Sequence, residues 1–402
     1  MASNLGPWMI CGTLLGIWLC MEYCEARTPR ILHAEPSIGI CEEFVKPKGY
    51  PCQEHTVITK DGFILGLQRI PEGRTPRSNQ TRQPVLVQHG ILVDGVSWLI
   101  SPPEESLPLI LADSGFDVWI SNTRGTRWSR GHTTLNDTDK AFWAWSWQDL
   151  SENDLPAMFE YVQGQTQQKL NYVGHSLGTL TAMAAFSEGK LVDMVKSAAL
   201  LSPIAHLNHI TSPLIVSLSK TLISDLGTWL GPGEFNIGLP IVRKLLRSLC
   251  IPGVNCYDLV IAITGKNCCL NASTVELVID YETMSTSTMN LDHLAQMIRN
   301  GLVSKYDYEN PFKNWKHYGQ FSPPRYNMSN IPTDLPLFLS YGAYDALSAP
   351  TDVELLIADL KSHNKDKIEV QLVESYAHVD FILGVNANQT VYTHIIDFFN
   401  RH

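Results

Sequence analysis

Lys169-Leu-Asn-Tyr-Val-Gly-His-Ser-Leu-Gly-Thr-Leu180 is the stretch that decides how this chain is read. Tyr172 and Val173 end a run with the character of a buried strand. Thr179 to Glu188, rich in Ala and Met, has the character of a helix. Between them stands Gly174-His175-Ser176-Leu177-Gly178, a G-x-S-x-G in the strand–turn–helix setting that a nucleophile elbow needs. Glycines flank the serine because strand and helix come too close there for a Cβ. Such a turn lifts the Ser176 hydroxyl clear of the sheet, and the helix behind it points its positive end at whatever the serine attacks.

Outward from the elbow, short apolar runs alternate with helical ones. Pro84 to Gly90, Phe116 to Ile120, Val195 to Ile204, Pro336 to Gly342 and Ile368 to Val373 read as strands, most of them buried on both faces. Ser106 to Ser114 and Thr390 to Arg401 read as helices. Phe142 to Gln163 reads as one long helix with Trp143, Trp145 and Trp147 packed in its first turns. Ahead of these, Thr56 to Lys60 and Phe63 to Ile70 form a hairpin around Asp61-Gly62. The order implies an α/β fold, a mostly parallel sheet with helices on both faces. The alternation stops at Pro203, and His206 to Asn330 is helical and loop-rich, with Leu214 to Leu230 and Ile241 to Leu249 carrying apolar residues at helical spacing with little charge. The expected organisation is a core of residues 27–202 plus 331–402, with residues 203–330 inserted as a cap and lid.

A serine hydroxyl is a weak nucleophile and needs a contacting base that is itself oriented by an acid. In folds that use this elbow the partners follow it in the chain, acid and then histidine, each just past a strand. Asp345 stands three residues beyond Gly342, and Asp352 is the runner-up, placed inside the helix that follows. His378 stands just beyond the last strand, whereas His363 precedes it and His394 and His402 fall on or after the terminal helix. Asp380, two residues from His378, reads as local support. The expected triad is Ser176, Asp345 and His378. An oxyanion hole then takes one backbone N–H from Leu177 and one from Ile91, in the turn after Gln88-His89-Gly90. This chemistry calls for no cofactor and no metal.

Composition narrows the setting. Pro7 to Met21 is almost wholly apolar but too short to span a membrane, and Ala26 offers a small residue for cleavage, so residues 1–26 read as a signal peptide. Removing them takes away two acids and no base, moving the net charge from −10 to −8. An acidic chain without a basic run is not a nucleic-acid binder. Sequons at Asn79, Asn136, Asn271, Asn327 and Asn388 fit a secreted glycoprotein. Beyond the signal, Cys41, Cys52, Cys250, Cys256, Cys268 and Cys269 make an even set for an oxidising compartment. Cys41 and Cys52 are expected to pair locally. Cys268 and Cys269, being adjacent, are expected each to reach back to Cys250 or Cys256. No C-x-x-C pair supports a metal site.

Several motifs together, His89-Gly-Ile-Leu, Asn122-Thr-Arg-Gly-Thr, Trp128-Ser-Arg-Gly-His132, Gly174-His-Ser-Leu-Gly178, Tyr306-Asp-Tyr and His378-Val-Asp-Phe-Ile382, resemble the acid lipase family of gastric and lysosomal lipases. Cys52-Gln-Glu-His and Asn267-Cys-Cys-Leu-Asn are similar to its plant triacylglycerol lipase branch. The resemblance runs from about Cys41 to the C-terminus. It implies an α/β-hydrolase fold, a lid that opens on lipid, and a triad matching Ser176, Asp345 and His378. Leu177 departs from the Gln of animal members, but a main-chain donor survives that change. The resulting expectation is a secreted serine lipase acting on neutral lipid esters at an oil–water interface, extracellular or in a vacuole-like or lysosomal compartment, without a transmembrane anchor. A soluble carboxylesterase, a sterol esterase and a catalytically silent lipid-binding protein on the same fold are the alternatives.

Overall fold

The computed structural model describes residues 38–75, 81–221, 231–236, 256–281 and 284–402. The signal peptide expected at 1–26, the sequon at Asn79, Cys250 and the apolar run Ile241 to Leu249 lie outside the described residues.

The strands are β1 (Gln53–Ile58), β2 (Phe63–Ile70), β3 (Pro84–Gln88), β4 (Asp117–Ser121), β5 (Gly131–His132), β6 (Leu170–His175), β7 (Val195–Leu201), β8 (Glu234–Asn236), β9 (Ser285–Ser287), β10 (Leu337–Gly342) and β11 (Ile368–Val373). Among the described residues nine of them form one sheet, ordered β1-β2-β4-β3-β6-β7-β10-β11 with β5 against β2. From β4 to β11 every pairing is parallel, while β1, β2 and β5 add an antiparallel flank. The hairpin turns at Gly62, whose φ of 100° a side chain would resist.

Apolar residues on both faces of the central strands explain why helices cover both. In β3, Leu86 joins Trp119, Tyr172, Ala198 and Leu339 on one face, while Val85 and Val87 join Val118, Val173 and Ala199 on the other. The helices are α1 (Leu107–Asp113), α2 (Leu155–Thr166), α3 (Leu177–Ser187), α4 (Pro213–Thr221), α5 (Cys256–Thr264), α6 (Ala272–Tyr281), α7 (Thr288–Asn300), α8 (Pro311–Tyr318), α9 (Pro350–Asp359) and α10 (Thr393–Arg401). Helices α2, α3 and α9 bury residues in the first cluster, α1 and α10 in the second. Between β7 and β10 the described chain runs through α4 to α8 and an antiparallel ribbon of β8 with β9. That ribbon has three residues per strand, too few to show periodicity in the sequence.

The long helix expected over Phe142 to Gln163 is broken. Ser146 forms a capping box with Asp149, so Trp143 and Trp145 lie ahead of the helix start and Trp147 opens it. A wide turn over Leu150–Asp154 then precedes α2. Pro156 accounts for it, since its ring has no N–H and crowds the carbonyl four residues back, which an ordinary turn cannot accommodate. All three tryptophans are buried in the core, as packing requires.

Candidate active site

Each member of the expected triad stands where a strand of the parallel sheet ends. Ser176 follows β6 with φ 54° and ψ −120°, a strained conformation for a residue with a side chain. Its N–H donates to the Leu201 carbonyl, and its own carbonyl accepts from the N–H and hydroxyl of Thr179. Both flanking glycines are required sterically. A Cβ on Gly178 would lie 2.8 Å from the Gln88 carbonyl oxygen, and one on Gly174 would lie 2.9 Å from the Gly178 backbone.

Asp345 follows β10 and His378 follows β11, and the two are in contact. His378 Nδ1 lies 3.0 and 2.9 Å from the Asp345 carboxylate oxygens. The same carboxylate accepts the N–H groups of Leu347 and Ser348, which fixes its plane. Both side chains are buried. With Nδ1 committed to the carboxylate, Nε2 is the nitrogen left to act as a base. Asp352, the alternative acid, binds the N–H and ring of His209 instead.

His175, next to the serine, ties His378 to the elbow. Its ring lies 4.9 Å from that of His378, and its Nε2 donates to the His378 carbonyl at 2.9 Å. Burial lowers the His175 pKa to about 3, so the ring stays a neutral donor. Ile91 and Leu177, the expected oxyanion donors, line one cavity together with Gly90 and Thr123. Leu177 is the first residue of α3, where an N–H has no partner within the helix. Gly90 brings the opposing turn within 3.1 Å of Ser176 Cβ, measured from where its own Cβ would stand.

Comparison with known proteins bears on the family. Residues 83–385 match the α/β hydrolase fold family, and residues 41–102 match a partial α/β-hydrolase lipase region. Triacylglycerol lipase 2 of Arabidopsis thaliana is 53% identical over 367 residues, covering 90% of this chain and 88% of that protein. Triacylglycerol lipase 1 of the same plant is 42% identical, covering 98% and 97%. The gastric triacylglycerol lipase of Rattus norvegicus is 34% identical, covering 87% and 88%.

The chain belongs to the acid lipase family of α/β-hydrolases.

Among solved structures, a soluble variant of monoglyceride lipase from Saccharomyces cerevisiae superposes with a TM-score of 0.54. It is 15% identical and covers 88% of this chain and 96% of that one, a likeness of fold alone.

Sequence reasoning missed how this lipase holds its turns. His89 reads from sequence as part of a strand end, yet its ring is structural. Nε2 accepts the Thr123 N–H at 3.1 Å, so Nδ1 carries the proton and donates to the Gly90 carbonyl at 2.7 Å. Burial lowers its pKa to about 4 and keeps that tautomer neutral. The Asn122-Thr-Arg-Gly motif thereby braces the turn that carries Ile91. Asn122 accepts the Gly95 N–H and donates to Gly66 and Gln68, while Arg124 is buried against Asp154 and Asp61. Apart from His89 and the adjacent Gly90, none of these partners is near its fellow in sequence, so no local spacing signals them.

The disulfides differ from expectation at one point. Cys41 and Cys52 pair locally, with Cα atoms 5.3 Å apart. Cys268 and Cys269, however, are bonded to each other and not back to Cys250 or Cys256. The reason is a bend. Both cysteine N–H groups converge on the Asp380 carboxylate, at 3.2 and 3.1 Å, whereas in an extended chain consecutive N–H groups diverge. That bend brings the two side chains to one side. Cys268, Cys269 and Asp380 could together resemble a metal-binding group, but the sulfurs are bonded and the carboxylate accepts three N–H groups, including that of Ala377.

Of the sequons within the described residues, Asn136, Asn271 and Asn327 are exposed. Asn388 is half-buried, and its amide donates to the Glu104 carbonyl. No helix of the described residues is long and apolar enough to cross a membrane.

Proposed function

We propose that Ser176 is the nucleophile, His378 its general base and Asp345 the residue that orients the histidine, in the hydrolysis of neutral lipid esters such as triacylglycerols. The observation that carries this reading is the buried Asp345–His378 pair lying against His175 beside a serine held at positive φ. Ser176 Oγ attacks the ester carbonyl as His378 Nε2 takes its proton. The oxyanion that forms is received by the N–H groups of Ile91 and Leu177. His378 returns the proton to the departing alcohol, leaving an acyl group on Ser176. A water deprotonated by the same nitrogen releases the fatty acid.

The names of the relatives at 53% and 42% identity support triacylglycerol as substrate. Residues 203–330 are read as the cap and lid. An apolar surface supports contact with lipid there, since Phe312, Trp315 and Phe321 are 78%, 56% and 61% exposed. Exposed sequons and paired cysteines support secretion, extracellular or into a vacuole-like or lysosomal compartment.

The test is labelling by a fluorophosphonate probe together with turnover of emulsified triacylglycerol. Labelling should map to Ser176 and vanish in Ser176→Ala, with activity falling by roughly 10⁴-fold or more while the thermal midpoint holds. Asp345→Asn should cost less than His378→Ala, because the acid orients a proton that the histidine moves. Greater damage from Asp352→Asn than from Asp345→Asn would overturn the acid assignment.

A further inference from the structure

The loops that carry Asp345 and His378 leave different strands and meet through one backbone hydrogen bond, from the Tyr344 N–H to the Tyr376 carbonyl at 3.0 Å. A third segment, from the chain between β7 and β10, joins them. The Thr264 carbonyl accepts the N–H of His378 and that of Ala346, each at 3.2 Å. Gly265 pairs with Asp345 as an isolated antiparallel bridge, so close that a Cβ there would lie 2.0 Å from the Tyr344 carbonyl oxygen.

Asn267 is buried and reaches both ways. Its carbonyl oxygen accepts the Val379 N–H at 3.2 Å, and its amide donates to Thr264 Oγ1 and the Gly265 carbonyl. The amides of Cys268 and Cys269 then bind Asp380, and the Cys269 carbonyl accepts the Val385 N–H at 2.9 Å. The N–H groups of His378, of Val379 after it and of Ala346 after Asp345, together with the Asp380 carboxylate, all end on one stretch of six residues. Burial raises the Asp380 pKa to about 6, and the three N–H groups that it accepts offset that cost.

We propose that Thr264–Cys269 is a positioning bracket for catalysis, with Asn267 and the bend closed by Cys268–Cys269 setting how His378 meets Asp345. The inference rests on the reading of Ser176, Asp345 and His378 as the triad. It assigns the vicinal cysteines a task distinct from general cross-linking. Their bridge holds two neighbouring amides toward one carboxylate, two residues from the base. A histidine held loosely keeps its substrate but spends less time in the productive orientation.

The test uses the full chain, a soluble short-chain ester, and the variants Asn267→Ala and Cys268→Ser/Cys269→Ser. Asn267→Ala should lower kcat about tenfold with KM within about twofold of wild type. The double serine variant keeps every hydrogen-bonding group and should show the same split at smaller amplitude. Wild-type kcat with a lowered thermal midpoint would make the bracket purely structural and overturn the proposal. If Asn267→Ala does not fold, the double variant decides by the same criteria. Failure of the triad reading is seen separately, as a wild-type protein that the fluorophosphonate does not label at Ser176.

Discussion

Gly178→Ala puts the nucleophile elbow under a known steric load. The added methyl would lie 2.8 Å from the Gln88 carbonyl oxygen, 2.9 Å from Gln88 Cγ and 3.0 Å from the His89 carbonyl oxygen, where ordinary contact begins at 3.4 Å. Two of the three obstacles are backbone, so the end of β3 must retreat by about half an ångström, at a cost of roughly 1–3 kcal/mol. Against that, alanine in a helix gains about 0.5–1 kcal/mol over glycine. Overpacking therefore wins, for a net loss of about 1–2 kcal/mol. The retreating residues lead directly into Gly90 and Ile91, so the proposed oxyanion donor moves with them. A fall in kcat of about tenfold to a hundredfold follows, larger than the stability loss alone would suggest. The assay is kcat and KM on a soluble ester alongside a urea unfolding curve. Gly164→Ala is the control. Gly164 is an exposed residue of α2 with nothing within 4 Å of a new Cβ, so only the helical gain remains and stability should rise by about 0.5–1 kcal/mol. Wild-type kcat and unchanged stability in Gly178→Ala would refute the claim that strand and helix touch here as described.

Other outcomes follow from the buried charges. Arg124→Met should destabilise by about 3–5 kcal/mol, because it leaves Asp154 buried without its partner; a loss below about 1 kcal/mol in urea would contradict the pairing. His293 stacks on Trp147 with its ring centroid 4.3 Å away, and burial lowers its pKa to about 3. A depressed histidine contributes stability above its unfolded pKa and loses it as pH falls toward the folded value. The destabilisation caused by His293→Asn should therefore be largest at neutral pH and shrink by about 1.4 kcal/mol per unit as pH falls from about 6.5 toward 4. Urea midpoints at pH 7 and pH 5 check this, and a difference independent of pH would mean that the ring takes up a proton as readily in the fold as in the unfolded chain.

The sequence by itself determined the elements that rest on local pattern. β10 is legible because a continuous apolar run ending in glycine suits a strand covered on both faces, and β11 because Ile368-Glu-Val-Gln-Leu-Val alternates with a period of two; β11 spans the same residues in both readings. The elbow is legible because its glycines, serine and following helix are contiguous. Asp345 and His378 were reachable because each lies at the end of such a strand, where the parallel sheet gathers its loops on one edge. The Cys41–Cys52 pair was reachable because its loop is short.

Tertiary structure alone decided what depends on residues far apart in the chain. It decided that Asp352 serves His209, that His89 carries its proton on Nδ1, and that Arg124 is neutralised by Asp61 and Asp154. It decided that Cys268 bonds Cys269, because the bend comes from Asp380, 111 residues further along the chain. The split in the helix expected over Phe142 to Gln163 is different in kind: Ser146, Asp149 and Pro156 are local signals, and they override a periodicity that runs through them. Hydrophobic burial is written into the order of residue types along the chain, whereas the partner of a buried polar group is settled only when packing brings the two together and excludes water from both.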